Sequence, residues 1–281
     1  MLLPTMWPVL VPYVLWIMFF DKAPIQAGRP SKFFRTLRIW TLFKDYFPIE
    51  LIKTADLKPE KNYIFCYHPH GVISLGAISN FATEATGFSE KFPGIDLRVL
   101  TLKLNFYTPF AREFVLAAGM CDVSATSCHY NLSRGPGSSI LIVIGGAQEA
   151  LDAHPGINNL TLKNRKGFVK VALQHGAALV PIFSFGENNL FAQIPNPKGS
   201  KLRNFQDMLQ KKLGFSMPLF QGRGVFNYDF GGEPLELPHL TAPTQEQIDE
   251  WHARYVEALV ALYNQYKDVY DKDRKSDIQI L

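Results

Sequence analysis

Two histidines flank a proline in Tyr67-His68-Pro69-His70-Gly71, directly after a short apolar and aromatic run that reads as a buried strand. An imidazole titrates near neutrality. It can take the proton of an attacking alcohol if its second nitrogen is held in one tautomer. Pro69 disfavours helix at His68 and keeps that residue extended, and the chain can turn at Gly71. Both histidines then fall at the carboxyl end of a strand, where open α/β sheets place their ligand sites. Three roles stay open on this local motif: a catalytic base, a hydrogen-bonded turn and a pair of metal ligands. The metal role lacks a third His, Cys or carboxylate at ligand spacing.

A second feature is IGGAQEAL, residues 144–151, where a branched apolar run meets Gly145 and Gly146 and then Glu149. Glycines at a strand end let backbone N–H groups come close to a substrate. A carboxylate at that sheet edge can orient an imidazole on a neighbouring strand. Equally, Glu149 can be an ordinary acid in the first turn of a helix, favoured by the helix dipole. A third feature is the cluster Lys163, Arg165 and Lys166 at the start of a predicted helix. Basic side chains there can bind phosphate, and a solvated basic turn is the plainer alternative. There is no Walker loop, no G-x-S-x-G elbow and no dinucleotide glycine fingerprint after the first strand, which argues against nucleotide hydrolysis and ordinary serine lipases.

The elements that must carry these residues alternate. Strands are predicted at 63–68, 97–102, 138–146 and 178–187, and helices at 72–86, 108–118, 165–175, 199–213 and 244–271. The last opens on a capping box formed by Thr244 and Gln247. That alternation predicts an α/β fold with a mostly parallel sheet and helices on both faces. Residues 2–20 carry no charge and are just long enough to span a bilayer, although Pro4, Pro8 and Pro12 interrupt them. Lys22, Arg29, Lys32, Arg35, Arg38 and Lys44 follow, and the positive-inside rule then puts the rest of the chain on the cytosolic side. In residues 33–47, Phe33, Leu37, Trp40, Phe43 and Phe47 form a helical stripe suited to the plane of a bilayer or to packing on the domain. The expected organisation is a transmembrane or re-entrant segment at 1–20, a basic amphipathic interfacial segment at 21–60 and a cytosolic catalytic domain at 61–281.

Composition sets the remaining bounds. Of 281 residues 47% are hydrophobic and 19% charged, so a large core can form. Twenty-two phenylalanines and eleven tyrosines suit either a Phe-rich core or a membrane interface. A net charge of +4, with no nucleic-acid motif beside it, excludes a case for nucleic acid as partner. Cys66, Cys121 and Cys128 are odd in number and unpaired in spacing, which reads as a reducing compartment rather than a disulfide framework.

Taken together, DYFPIELIKT (45–54), YIFCYHPHG, FATEAT (81–86), FPGI (92–95), GGAQEAL, LKNRKGFVKVALQHGAALVPIFSFGE and GRGVF (222–226) resemble the diacylglycerol acyltransferase type 2 family, closest to its diacylglycerol branch. The resemblance runs from about Asp21 to Lys267. It implies a glycerolipid-acyltransferase-like enzyme of the endoplasmic reticulum membrane, also found at lipid droplets, that esterifies diacylglycerol. Acyl-CoA is then a co-substrate, and no cofactor is expected. Related families keep an acid separated from the histidine by four residues. Leu75 stands there, and the family pattern puts Glu149 in its place. The resemblance thus implies His70 as general base, Glu149 holding its imidazole and His68 supporting the turn. Gly71, Gly145 and Gly146 would offer backbone donors, and Lys163, Arg165 and Lys166 would meet the phosphates of CoA. Monoacylglycerol or a fatty alcohol is the alternative acceptor, and a homo-oligomer is compatible with the chain. One departure stands out: after Phe230 about a dozen residues of the family pattern, including a strand, are missing, counted against usual loop lengths. Such a loss is expected to open a sheet edge, and it raises the alternative of an inactive variant that only binds acyl-CoA or a homologous partner.

Overall fold

A computed structural model of the chain describes residues 6–222 and 227–281. In chain order its strands are β1 (Ile49–Lys53), β2 (Tyr63–His68), β3 (Asp96–Thr101), β4 (Cys121–Asp122), β5 (Ser138–Val143), β6 (Asn159–Leu160), β7 (Ala178–Phe185), β8 (Phe191–Gln193), β9 (Phe220–Gly222), β10 (Asn227–Gly231) and β11 (Gln279–Ile280). A seven-stranded sheet runs β1-β10-β7-β2-β5-β3-β4, and every neighbouring pair is parallel except β10 against β7. Beside it lie two small ribbons, β6 with β11 and β8 with β9.

The helices are α1 (Trp7–Phe19), α2 (Lys32–Arg35), α3 (Arg38–Tyr46), α4 (Leu75–Ala77, running on as a π-helical turn Ile78–Ala82), α5 (Phe88–Lys91), α6 (Ala111–Ala117), α7 (Ala125–Leu132), α8 (Gly146–Ala150), α9 (Gly167–His175), α10 (Lys201–Leu213) and α11 (Gln245–Tyr270). Both faces of the sheet are covered, which is why β2 and β7 are buried along their whole lengths and read as unbroken apolar runs. Successive side chains of β2 alternate between the two layers. Ile64 and Cys66 join the core under α9 and α11, and Tyr63, Phe65 and Tyr67 join Phe81, Phe88 and Phe92 on the other side. The capping box forms as the sequence predicts, and Gly176, at φ +59°, closes α9.

Several expectations change. Residues 72–86 do not form one helix: Ser74 turns at φ +54°, and only three α-helical residues precede the π-helical turn. The Glu187 side chain takes the Leu75 and Gly76 N–H groups and so fixes where helix begins. Residues 33–47 break at Leu37, which is extended at ψ 136°, and the stripe is split: Phe33 is 77% exposed while Phe43 and Phe47 pack on the core. Residues 49–53, within the segment expected at the interface, are an edge strand of the main sheet.

Of the predicted spanning segment, residues 1–20, the structure describes 6–20, which hold one short helix. α1 has 13 residues, or about 20 Å at 1.5 Å per residue, against a hydrocarbon core of about 30 Å. No helix among the described residues is long and apolar enough to cross a membrane. α1 instead lies along the domain, with Tyr13 donating to Glu113 Oε1 at 2.8 Å, and the chain leaves it through Asp21, which pairs with the buried Arg112. Nor does the sheet open at Phe230. β10 lies between β1 and β7, Phe230 is buried against Tyr266 and Tyr270, and Leu235 bridges to Leu179 beyond it. Arg223 to Phe226 of the GRGVF motif lie outside the described residues.

Candidate active site

β2, β3 and β5 are parallel, so their carboxyl ends meet at one edge of the sheet. His70 stands there, two residues past β2. Its Nδ1 lies 3.1 Å from the Gly71 carbonyl oxygen. A carbonyl only accepts, so Nδ1 carries the proton and Nε2 keeps a free lone pair. Burial lowers the pKa of His70 below its usual 6.5, which keeps the ring neutral at pH 7. This is the protonation state that a general base requires.

Glu149 reaches His70 differently from the expectation. Its Oε1 accepts from the His70 backbone N–H at 2.6 Å and its Oε2 from the Thr161 N–H at 2.7 Å. The carboxylate therefore clamps the backbone of the histidine turn to the segment before α9 and does not touch the imidazole. The ring is held by the Gly71 carbonyl. The cause is geometric: Glu149 is the fourth residue of α8, and it folds back over the helix start so closely that a Cβ on Gly145 would overlap its carboxyl group. Burial raises Glu149 to about 7, while the two backbone donors pull it down.

His68 belongs elsewhere. As the last residue of β2 it lies on the same side as Ile64 and Cys66, fully buried, with Nε2 2.9 Å from Tyr255 Oη on α11. Burial takes its pKa down to about 3, so it is a neutral core residue that joins β2 to α11.

A cavity of about 820 Å³ opens beside His70. Its walls are largely apolar, from the ends of β3 and β5 and from α7, and Gly146, Arg165 and Lys166 stand at its polar side. Lys166 also pairs with Asp249 at 2.7 Å, and Arg165 Nη2 lies 3.5 Å from the Gly145 carbonyl. Lys163 is exposed and does not line the cavity; its backbone N–H goes to Leu281 at 2.9 Å. Cys128 lines the wall, but burial pushes its thiol up to about 12, too high for a nucleophilic thiolate at pH 7. Among the described residues, no group of three or more His, Cys, Asp or Glu side chains could hold a metal ion.

Sequence reasoning passed over Tyr67, Glu187 and Asp229, which lie buried beneath the turn. Tyr67 and Glu187 sit inside motifs that were quoted for other reasons. The available signal was two acids and a tyrosine within or beside otherwise apolar strands, where an ionisable group needs a partner.

A neutral histidine at the carboxyl edge of a parallel sheet, opening on an apolar cavity with basic groups at one side, defines an α/β enzyme that can deprotonate a hydroxyl on a largely apolar substrate. The comparisons agree with that class. The chain belongs to the family described as "Diacylglycerol acyltransferase", whose sequence pattern matches residues 1–280, and it is an acyltransferase. It is 49% identical to diacylglycerol O-acyltransferase 2B of Umbelopsis ramanniana over 99% of this chain and 84% of that one. It is 46% identical to diacylglycerol O-acyltransferase 2 of Dictyostelium discoideum (95% and 84%) and 48% identical to 2-acylglycerol O-acyltransferase 1 of Bos taurus (94% and 83%). The first alignment spans 295 residues, more than this chain's 281, so that relative carries residues this chain lacks. A solved 1-acyl-sn-glycerophosphate acyltransferase, PlsC, from Thermotoga maritima covers 90% of this chain at 12% identity and a TM-score of 0.43.

Proposed function

We propose that this chain transfers a fatty acyl group from acyl-CoA to the free hydroxyl of diacylglycerol, giving triacylglycerol, with His70 as the general base. The observation that carries the reading is the His70 ring, held through Nδ1 with Nε2 free, at the edge of the apolar cavity. His70 Nε2 takes the hydroxyl proton as the oxygen attacks the thioester carbonyl. The tetrahedral intermediate then collapses, and the CoA thiolate leaves and recovers the proton from the imidazolium. No covalent acyl-enzyme is needed, and acyl-CoA is a co-substrate rather than a cofactor. Glu149 holds the His70 backbone in place, and backbone N–H groups at Gly71 or Gly145-Gly146 would steady the oxyanion. Arg165 and Lys166 are placed to meet the CoA phosphates, and Lys163 is the weakest member of that set.

The acceptor is supported only as far as the relatives go. Those named for diacylglycerol and for 2-acylglycerol match this chain at nearly the same identity, so monoacylglycerol is the second reading. We also place the enzyme on the endoplasmic reticulum membrane or a lipid droplet. The support is a belt of exposed apolar side chains, linked through Tyr13–Phe110 and Phe34–Phe114 contacts, that includes Phe19, Phe20, Phe33 and Phe114. In the test, membranes from cells lacking neutral-lipid synthesis express the chain. They receive labelled oleoyl-CoA with diacylglycerol, monoacylglycerol or hexadecanol, beside a His70→Ala variant. Labelled triacylglycerol that disappears in the variant supports the reading; no ester with any acceptor, from protein that is present, overturns it.

A further inference from the structure

The cavity beside His70 touches both faces of the sheet. Two neighbouring residues of β3, Val99 and Leu100, line it, and so do two neighbours of β5, Ile142 and Val143. Adjacent side chains of a strand point to opposite faces. The packing agrees: Val99 and Val143 go with the core on the Phe81 side, and Leu100 and Ile142 with the core under α9 and α11. The cavity therefore straddles the carboxyl edge of β3 and β5 and has an arm on each face. His70 stands in the turn at that edge.

The two arms have different surroundings. Cys128 of α7 and Phe168 and Val171 of α9 line the first, and Arg165 and Lys166 directly precede α9. Among the described residues that line the cavity, these two carry the only full charges at pH 7. Ala77 and Ile78, beyond the His70 turn, line the second arm together with Met120. The exposed Leu104 also lines the cavity, and the turn that holds it, Lys103–Phe106, packs against α6. Val115 of α6 joins the core on the second arm's face, while Phe114 of the same helix belongs to the apolar belt.

Acyl transfer from acyl-CoA to a glyceride joins two molecules with apolar chains, one bearing phosphates and one uncharged. We propose that the two faces of the sheet hold them apart: the acyl chain of the donor lies in the arm between α7 and α9, where Cys128 and Val171 limit its length, and an acyl chain of the acceptor lies in the arm of Ala77, Ile78 and Met120. The thioester and the hydroxyl then reach His70 from opposite faces of the sheet. The phosphate-bearing donor belongs on the α9 side because the two cations of the cavity are there. The uncharged acceptor belongs on the other face, where no charged side chain among the described residues lines the arm and Leu104 adjoins the apolar belt. This assignment rests on the acyl-transfer reading, and the experiment separates the two.

The test compares the full chain with Val171→Phe and Ile78→Phe, using donors from octanoyl-CoA to oleoyl-CoA and both monoacylglycerol and diacylglycerol as acceptors. A buried methylene is worth about 4-fold in affinity, so closing off two or three of them costs ~10- to 100-fold. Val171→Phe lowers kcat/KM for oleoyl-CoA by that factor relative to octanoyl-CoA and leaves the choice of acceptor unchanged. Ile78→Phe lowers the rate on diacylglycerol relative to monoacylglycerol by a similar factor and leaves the donor series unchanged. Where a Phe variant does not fold, Val171→Ala or Ile78→Ala decides instead: each widens its arm and shifts its own preference toward the longer donor or the bulkier acceptor. The proposal is overturned if a variant moves the other substrate's preference as much as its own, or if neither position moves either preference. A CoA thioether carrying an oleyl chain, which cannot be transferred, gives a binding readout beside turnover. Val171→Phe weakens its binding relative to the octyl thioether, and Ile78→Phe does not. Should the parent chain form no ester at all, the acyl-transfer reading fails. The thioethers then still decide the donor arm, and equal weakening by both variants, or by neither, overturns it.

Discussion

His70 and His68 are two residues apart and of one type, yet they do opposite things. The sequence placed both at the end of a strand and, two residues apart, with the same parity; His68 is the last residue of β2 and points beneath α11, whereas His70 lies past the strand, in the turn, and meets the cavity. His70→Ala should cost ~100- to 10,000-fold in kcat, the usual worth of a general base. Because burial lowers His70 below 6.5, the acid limb of kcat/KM should have its midpoint under that value, with activity rising as the ring loses its proton; a limb above 6.5 would count against this base. For His68 the sign concerns stability. Its folded pKa, about 3, lies below the unfolded value, so its contribution is present above pH 6.5 and lost as pH falls toward 3. His68→Leu should therefore move the acid-unfolding midpoint, followed by circular dichroism, to lower pH. At Gly145 an added methyl would overlap the Glu149 carboxyl. Gly145→Ala should free the His70 and Thr161 N–H groups and lower kcat, with about 1–3 kcal/mol of stability lost to overpacking. Normal turnover in that variant would show that the clamp is dispensable.

At the scale of elements, regular periodicity was legible and side-chain capping was not. Branched runs at β5 and β7 and the capping box of α11 are local features, so the sequence reveals them directly. The stretch 72–86 was misread because Glu187, more than a hundred residues away, supplies the cap that fixes its start. Short strands such as β4 and β11, two residues each, are too brief for a periodic signal, and only pairing defines them. β11 nonetheless bears on the site. Leu281 accepts from the Leu162 and Lys163 N–H groups, next to Thr161, which holds Glu149. Deleting residues 279–281 should loosen that segment and cost about 1–2 kcal/mol of site stability, or roughly 5- to 30-fold in the population of the ordered form. The measurement is kcat and KM for oleoyl-CoA, and unchanged values would show that β6 keeps its place alone.

For the whole molecule, the open question of the N-terminus becomes one of surface. α1 is too short to cross a bilayer as it stands, and it packs on α6 with much of its apolar side exposed. If that belt meets lipid, replacing Trp7, Phe19 and Phe20 by Ser should weaken flotation of the protein with phosphatidylcholine vesicles while leaving its unfolding midpoint within about 0.5 kcal/mol, as for other surface changes. Undiminished flotation would place the membrane contact elsewhere.

The sequence by itself determined the alternation of strands and helices, the family and the histidine block on which the proposed base stands, because hydrophobic periodicity, turn residues and the HPHG block are local or contiguous. Only the tertiary structure decided that Glu149 holds a backbone rather than a ring, that His68 is core, and that Tyr67, Glu187 and Asp229 meet beneath the turn. Those contacts join residues 79 to 187 positions apart, and their partners are chosen by strand order and side-chain direction, which no single stretch of chain encodes.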